Sequence, residues 1–186
     1  MRERSVVLLD GLRVHFNYRV ASTRIGSSFK NVVRQVYPDE SGDEYRFMAV
    51  RHPLDRIVSA WTCFYAPGRL ASQPELQQAG FTAGMSFNEF LDLVLVSHEV
   101  NRHTCYQTNF KGPHTIDLLI RVDMLVEAWP GLVERFPHCL KPLSKMVNAS
   151  AHGDWQGYYT RVMRTLAETE FACDMALFED AKHHEG

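Results

Sequence analysis

The sequence predicts an α/β domain, three layers (αβα) around a mainly parallel central sheet. Three observations carry that prediction. A β-prone run leads through an unusual loop into a helical pattern twice, at residues 12–36 and again at 45–65. Strand and helix patterns continue to alternate after residue 115. The length, 186 residues, is that of one domain, with a core over about 12–179 and a polar tail at 180–186. In such sheets ligands collect at the carboxyl ends of the strands, and the loops at 19–24 and 51–55 fall at that edge.

Taken in order, "SVVLLDGLRVHF" holds two β-prone runs around Asp10-Gly11, a two-residue hairpin signal, and the second run continues to about Tyr18. "IGSSFKNVVRQVY" shows helical spacing through Ile25, Phe29, Val32, Val33 and Val36, and Pro38 with the acidic "DESGDE" ends it. "YRFMAV" is a short apolar strand. Pro53 fits the first turn of the helix "LDRIVSAWTCFY", where its missing N–H is not needed. Residues 66–85 are irregular, the composition of a lid or substrate loop. "SFNEFLDLVLVSH" opens with Ser86 and places Glu89 three residues on, a capping box. "TIDLLIRV" reads as a strand, "DMLVEAWPGLVERF" as a helix interrupted near Pro130, and the stretch from Asp154 to Phe178 as a long helix or helix pair.

Composition narrows the function. Apolar residues make up 45% and charged residues 23%, as in an ordinary globule, and a net charge of −2 argues against wholesale binding to nucleic acid or an acidic membrane. No stretch is apolar enough to span a bilayer, and the N-terminal apolar run is short and broken by Asp10, so a cytoplasmic location is expected. Cys63, Cys105, Cys139 and Cys173 are scattered without a C-x-x-C pair, which fits reduced thiols. His183 and His184 sit in a solvated tail, and no metal site is expected.

Two loops have anion-binding character. In "YRVASTRI" a helix start would offer free backbone N–H groups, Ser22 and Thr23 add hydroxyl donors, and Arg19 can fork onto two oxygens of one anion. The G-x-x-x-x-G-K-[ST] pattern of a Mg-dependent nucleotidase is absent. A plain Ser/Thr cap with solvated arginines fits this loop equally well. In "AVRHPLDRIVSAW" Arg51 ends a strand and Ser59 lies on the helix that follows, both aimed at one crevice, while Arg56 and Ser59 lie three apart on one face.

At this point the chain resembles the sulfotransferases, sulfotransferase family 2, and within it the carbohydrate branch of the HNK-1 and chondroitin enzymes. "YRVASTRI" resembles that family's 5′-phosphosulfate loop, Pro-Lys-Val-Ala-Cys-Thr-Asn-Trp. "RHPLDRIVSAW" is similar, nearly position for position, to its 3′-phosphate motif, Arg-Asp-Pro-Phe-Glu-Arg-Leu-Val-Ser-Ala-Tyr. "IDLLIRVDMLVEAW" is similar to a family strand, and Phe171, Asp174, Leu177 and Phe178 represent its closing Y-x-x-D-x-x-LF. The likeness covers most of residues 12–179.

The resemblance implies a P-loop-NTPase-like sulfotransferase fold and a donor substrate, 3′-phosphoadenosine 5′-phosphosulfate (PAPS), leaving as 3′,5′-ADP (PAP). It implies that Arg19, Val20, Ala21, Ser22, Thr23 and Arg24 hold the 5′-phosphosulfate, that Arg51 and Ser59 hold the 3′-phosphate, and that Asn148 and Ser150, with Lys145 nearby, close over the nucleotide. A donor with two anionic ends needs two anion sites, which an ATP enzyme does not. The acceptor is expected to be a hydroxyl, of a sugar or glycan, set by residues 66–85 and 98–114.

Arg19 stands where the family has Lys. Arginine stays protonated, so it stabilises charge without acting as an acid, which sulfuryl transfer tolerates. Arg24 and Ile25 also depart from the family's small polar residue and Trp. The acceptor needs a general base, and His103 in "NRHTCYQTNF" resembles the family's Asn/Asp-x-His segment ahead of its Pro-Gln. His15 is a lesser candidate that fits packing under the first loop, His52 has a supporting position, and Glu99 and Asp123 fit cap or surface roles. Trp155, Tyr158 and Tyr159 fit packing of the last helix. Two other functions stay open: a non-catalytic, sulfotransferase-like nucleotide-binding protein, and a small nucleotide kinase with a degenerate phosphate loop.

Overall fold

A computed structural model describes residues 5–8, 11–16, 25–36, 42–65, 74–100, 103–111, 113, 115–143 and 153–181. They gather into two compact units. One comprises Met1–Arg51, Gln107–Asn148 and Ala176–Gly186; the other comprises His52–Tyr106 and Ala149–Met175.

The first unit is built on a five-stranded sheet of β1 (Ser5–Leu8), β2 (Leu12–His15), β3 (Val32–Val36), β4 (Tyr45–Val50) and β5 (Leu118–Arg121), in the order β3-β1-β2-β4-β5. β1 pairs antiparallel with both β2 and β3, whereas β2–β4 and β4–β5 are parallel. Four of the five strands therefore run in one direction, the mainly parallel α/β arrangement that the sequence predicts. The β1–β2 hairpin forms as expected, with Gly11 at φ 71°, a left-handed conformation that glycine adopts without strain.

Strand alternation divides the buried side chains. Leu12 and Val14 of β2, Phe47 and Ala49 of β4 and Ile120 of β5 join one cluster with Leu125, Ala128, Trp129 and Leu132 of α5 (Leu125–Arg135, numbered in chain order with the helices below). Each such side chain, fully buried, contributes about 1.5–3 kcal/mol. The Trp129 ring meets Phe47 edge-on at 6.0 Å, and its indole N–H donates to the Lys141 carbonyl at 3.0 Å, so burying it leaves no donor unmet. Arg13, fully buried one residue along β2, is met by Glu44 at 3.0 Å.

Two expectations are overturned here. The helix expected from Ile25 to Val36 does not run through: Ile25 and Gly26 are helical, a turn follows at Ser27 and Ser28, and Val32–Val36 form the edge strand β3. Three of those five residues are β-branched valines, which favour extended backbone. The segment before them is drawn into pairing: Lys30 N–H donates to the Cys139 carbonyl at 2.8 Å, and Lys141 N–H to the Ser28 carbonyl at 3.0 Å. The break expected at Pro130 is also absent, and α5 continues from Leu125 to Arg135. Pro130 forfeits only its bond to the Val126 carbonyl, and both residues are exposed, so water can replace it.

The second unit is helical: α1 (Pro53–Tyr65), α2 (Pro74–Gln78), α3 (Phe87–Ser97), a 3₁₀ turn His98–Val100, a second Trp155–Tyr158, and α6 (Arg161–Glu170). α4 (Thr108–Lys111) belongs to the sheet unit, and α7 (Ala172–Asp180) contributes its residues up to Met175 here. α1 begins at Pro53 as expected, and the final segment is a helix pair broken at Phe171. The capping box at α3 forms: Glu89 N–H donates to Ser86 Oγ at 3.3 Å, and Ser86 N–H to Glu89 Oε2 at 2.7 Å. Ser86 Oγ also donates to Oε2 at 2.7 Å, and this bond first, then that of the Ser86 N–H, holds the Glu89 carboxyl below its ordinary value of 4.5.

Leu54, Ile57 and Val58 of α1 pack with Phe87, Phe90, Leu91 and Val94 of α3 and with Phe171. Trp61, Phe87, Tyr158 and Tyr159 make an aromatic cluster with ring centroids 5.0–5.7 Å apart. Tyr159 donates its hydroxyl to the Leu54 carbonyl at 2.9 Å. These rings pack the helical unit, Tyr158 and Tyr159 against α1 and α3. Among the described residues no helix is long and apolar enough to cross a membrane.

Candidate active site

Arg51 stands one residue beyond β4. Its backbone N–H donates to Oε1 of Gln107 at 3.0 Å, and its carbonyl accepts from Nε2 of the same side chain at 2.8 Å. The strand end that presents Arg51 is therefore pinned, and its partly buried side chain leaves from a fixed point. Ser59 lies within α1 and is buried, 1% exposed. Arg19, Val20, Ala21, Ser22, Thr23, Arg24, Lys145, Asn148 and Ser150 lie outside the described residues. Ile25 and Gly26 are helical, and the helix start expected at the first loop falls at residues 19–24, outside the described residues.

Arg56, three residues before Ser59 on α1, is buried as Ser59 is. It is fully buried, and its guanidinium lies 3.6 Å from Asp174, which is also fully buried. Its two terminal nitrogens also donate to three successive carbonyls: His103 at 3.4 Å, Thr104 at 3.4 Å, and Cys105. One arginine side chain thus holds the turn that carries His103. An arginine inside the apolar run "LDRIVSA" was the available signal, because only a paired guanidinium is stable there.

His103 is half-buried on that turn. The turn is pinned again by Thr104, whose hydroxyl donates to the His98 carbonyl at 3.1 Å, and by Tyr106, whose hydroxyl donates to Glu170 at 2.7 Å. Burial first, then the hydrogen bond and charge of Glu170, push the Tyr106 hydroxyl above its ordinary 10.0. His15 is 2% exposed, with Nδ1 donating to the Phe110 carbonyl at 2.8 Å, so it packs at the end of β2. The His52 ring stacks on Trp155 at 4.4 Å. Asp123 is exposed beside Arg121 at 3.5 Å, and Glu99 is exposed next to His98.

Beside α3 a polar cavity of about 500 Å³ is lined by Thr82 and Met85, from the 66–85 stretch expected to set the acceptor, and by Glu89, Asp92 and Leu93 of α3, outside that stretch. Gln107 was not singled out from the sequence. Its signal is a fully buried amide, which needs partners for both its donor and its acceptor.

No curated protein and no solved structure matches the chain. A model described as "Sulfotransferase family" matches residues 16–123, a span that contains the first loop, the Arg51–Ser59 motif and His103. With more than half of its length inside that match and an α/β fold to go with it, the chain belongs to the sulfotransferase family.

Proposed function

We propose that the protein moves a sulfuryl group from PAPS to a hydroxyl of a carbohydrate and releases PAP. The observation that carries this reading is the pinned Arg51, at the carboxyl end of a parallel strand and inside a nearly complete 3′-phosphate motif. A guanidinium leaving a fixed backbone loses little freedom when it binds, and it matches two phosphate oxygens at once. Arg51 and Ser59 take the 3′-phosphate. Arg19, Ser22 and Thr23, with the backbone of Val20, Ala21 and Arg24, take the 5′-phosphosulfate, and Asn148 and Ser150 close over the nucleotide.

In the transfer, the acceptor oxygen attacks sulfur in line with the bridging oxygen of the donor. The new O–S bond forms as the bridging O–S bond breaks, and the electron pair leaves with the 5′-phosphate of PAP. His103 takes the acceptor proton. Arg19 offsets the charge that develops on the leaving oxygens without giving up a proton. The carboxylates and hydroxyl lining the cavity beside α3 suit a hydroxyl-rich acceptor. The whole chain acts as one sulfotransferase domain.

Transfer of labelled sulfate from PAPS across an oligosaccharide panel tests this reading; labelled product supports it, and no transfer to any member contradicts it. Arg19 in place of the family's Lys favours a second reading, a nucleotide-binding protein without turnover. Under that reading, PAP binds while no acceptor is sulfated.

A further inference from the structure

β4 is paired on both sides up to a definite point. The Val50 carbonyl accepts from Val122 N–H at 2.8 Å, on the β5 side. Successive residues of a strand turn their backbone groups to opposite sides, so Arg51 presents its N–H and carbonyl toward β2. The β2–β4 register ends at His15 opposite Met48. Among the described residues, β2 supplies no partner beyond that pair.

Gln107 fills the place. Its side-chain amide receives the Arg51 N–H and donates to the Arg51 carbonyl, as backbone groups of a neighbouring strand would. Only one orientation of the amide satisfies both, and the side chain is fully buried. The same turn also reaches β2: Phe110 N–H closes onto the Gln107 carbonyl at 3.0 Å, and the Phe110 carbonyl accepts from His15. One short turn, Gln107–Phe110, is bonded to the last residues of both central parallel strands. The chain leaves the sheet unit after Arg51 and re-enters it at Gln107, so these two bonds close that excursion at its base.

We propose that Gln107 is a positioning residue for the 3′-phosphate: it acts through Arg51, whose backbone it holds one residue beyond β4. The proposal rests on the reading of Arg51 as the 3′-phosphate ligand. Loss of the amide frees the Arg51 backbone, and ordering it again on binding weakens the grip on that one phosphate.

The test is Gln107→Met, which keeps the volume and removes both bonds, measured by calorimetric titration with 3′,5′-ADP and with 5′-AMP. The expected result is a 5- to 20-fold loss for 3′,5′-ADP, less than twofold for 5′-AMP, and amide exchange at Arg51 at least tenfold faster. Equal losses for both nucleotides, or none, overturn the proposal. If Gln107→Met does not fold, Gln107→Glu, which keeps the acceptor for the Arg51 N–H, is expected to lose selectivity for 3′,5′-ADP while folding cooperatively; unchanged selectivity overturns it. Arg51→Ala separates the two failures. If that variant keeps the preference for 3′,5′-ADP over 5′-AMP, the Arg51 reading fails; if it loses the preference while Gln107→Met keeps it, the positioning role fails.

Discussion

Arg56 and Asp174 form a fully buried ion pair at 3.6 Å, joining the first helix to the last one. The pair connects the Arg-x-Pro-x-x-Arg segment to the Phe-x-x-Asp segment, which the sequence shows only as separate motifs. The guanidinium is met in addition by the carbonyls of His103, Thr104 and Cys105. Asp174→Ala leaves that charge without its counterion and is expected to lower the unfolding free energy by about 3–5 kcal/mol. Urea denaturation checks this, and a loss below about 1 kcal/mol contradicts it.

Arg51→Ala is expected to weaken 3′,5′-ADP binding by about 10- to 100-fold, the range of one charge-assisted phosphate contact. Thermal melting of the unliganded variant should stay within a few degrees, because the backbone bonds of Arg51 to Gln107 do not need its side chain. Calorimetry and a melting curve measure the two.

His103→Ala is expected to lower kcat by about 10²–10⁴ while leaving 3′,5′-ADP affinity unchanged, since a base for the acceptor does not touch the nucleotide. Arg56 holds the turn through the His103 carbonyl, which the alanine variant keeps. Full turnover in this variant would move the base elsewhere.

Alkaline pH gives a third kind of test. Tyr106 and Tyr159 both have hydroxyls held above the ordinary 10.0, in each case by burial first; Glu170 adds to it at Tyr106, and the charge of Asp55 at Tyr159. The folded state favours the neutral phenol, so this stability is complete below pH 10 and is lost as pH rises through the raised values. The urea midpoint should show no tyrosine contribution between pH 7 and 9 and fall above 10. Tyr159→Phe costs about 1 kcal/mol at neutral pH through its bond to Leu54 and should flatten the alkaline fall. An equally steep fall in that variant contradicts the assignment.

Much of the fold was legible because local signals and tertiary demands agree. Asp10-Gly11 with apolar runs on either side specifies a hairpin, Ser86 and Glu89 specify a helix start, and "YRFMAV" coincides with β4. The misreading at 25–36 has a physical cause. Ile25, Phe29, Val32 and Val36 are spaced for a helix, but pairing with β1 and with residues 139–141 decides the outcome, and neither partner is adjacent in sequence. At the candidate site the sequence offers candidate residues through their motifs but not the groups that support them. Arg51 was found by its motif. Gln107 and Asp174 act across long separations, through a side-chain amide and a buried charge, so no local pattern marks what they hold.

The most direct measurement is a titration of the purified protein with 3′,5′-ADP and with Mg-ATP, each repeated in EDTA. The account predicts that 3′,5′-ADP binds more tightly than Mg-ATP and that EDTA leaves its affinity unchanged. Tighter binding of Mg-ATP, or loss of 3′,5′-ADP binding in EDTA, would contradict it.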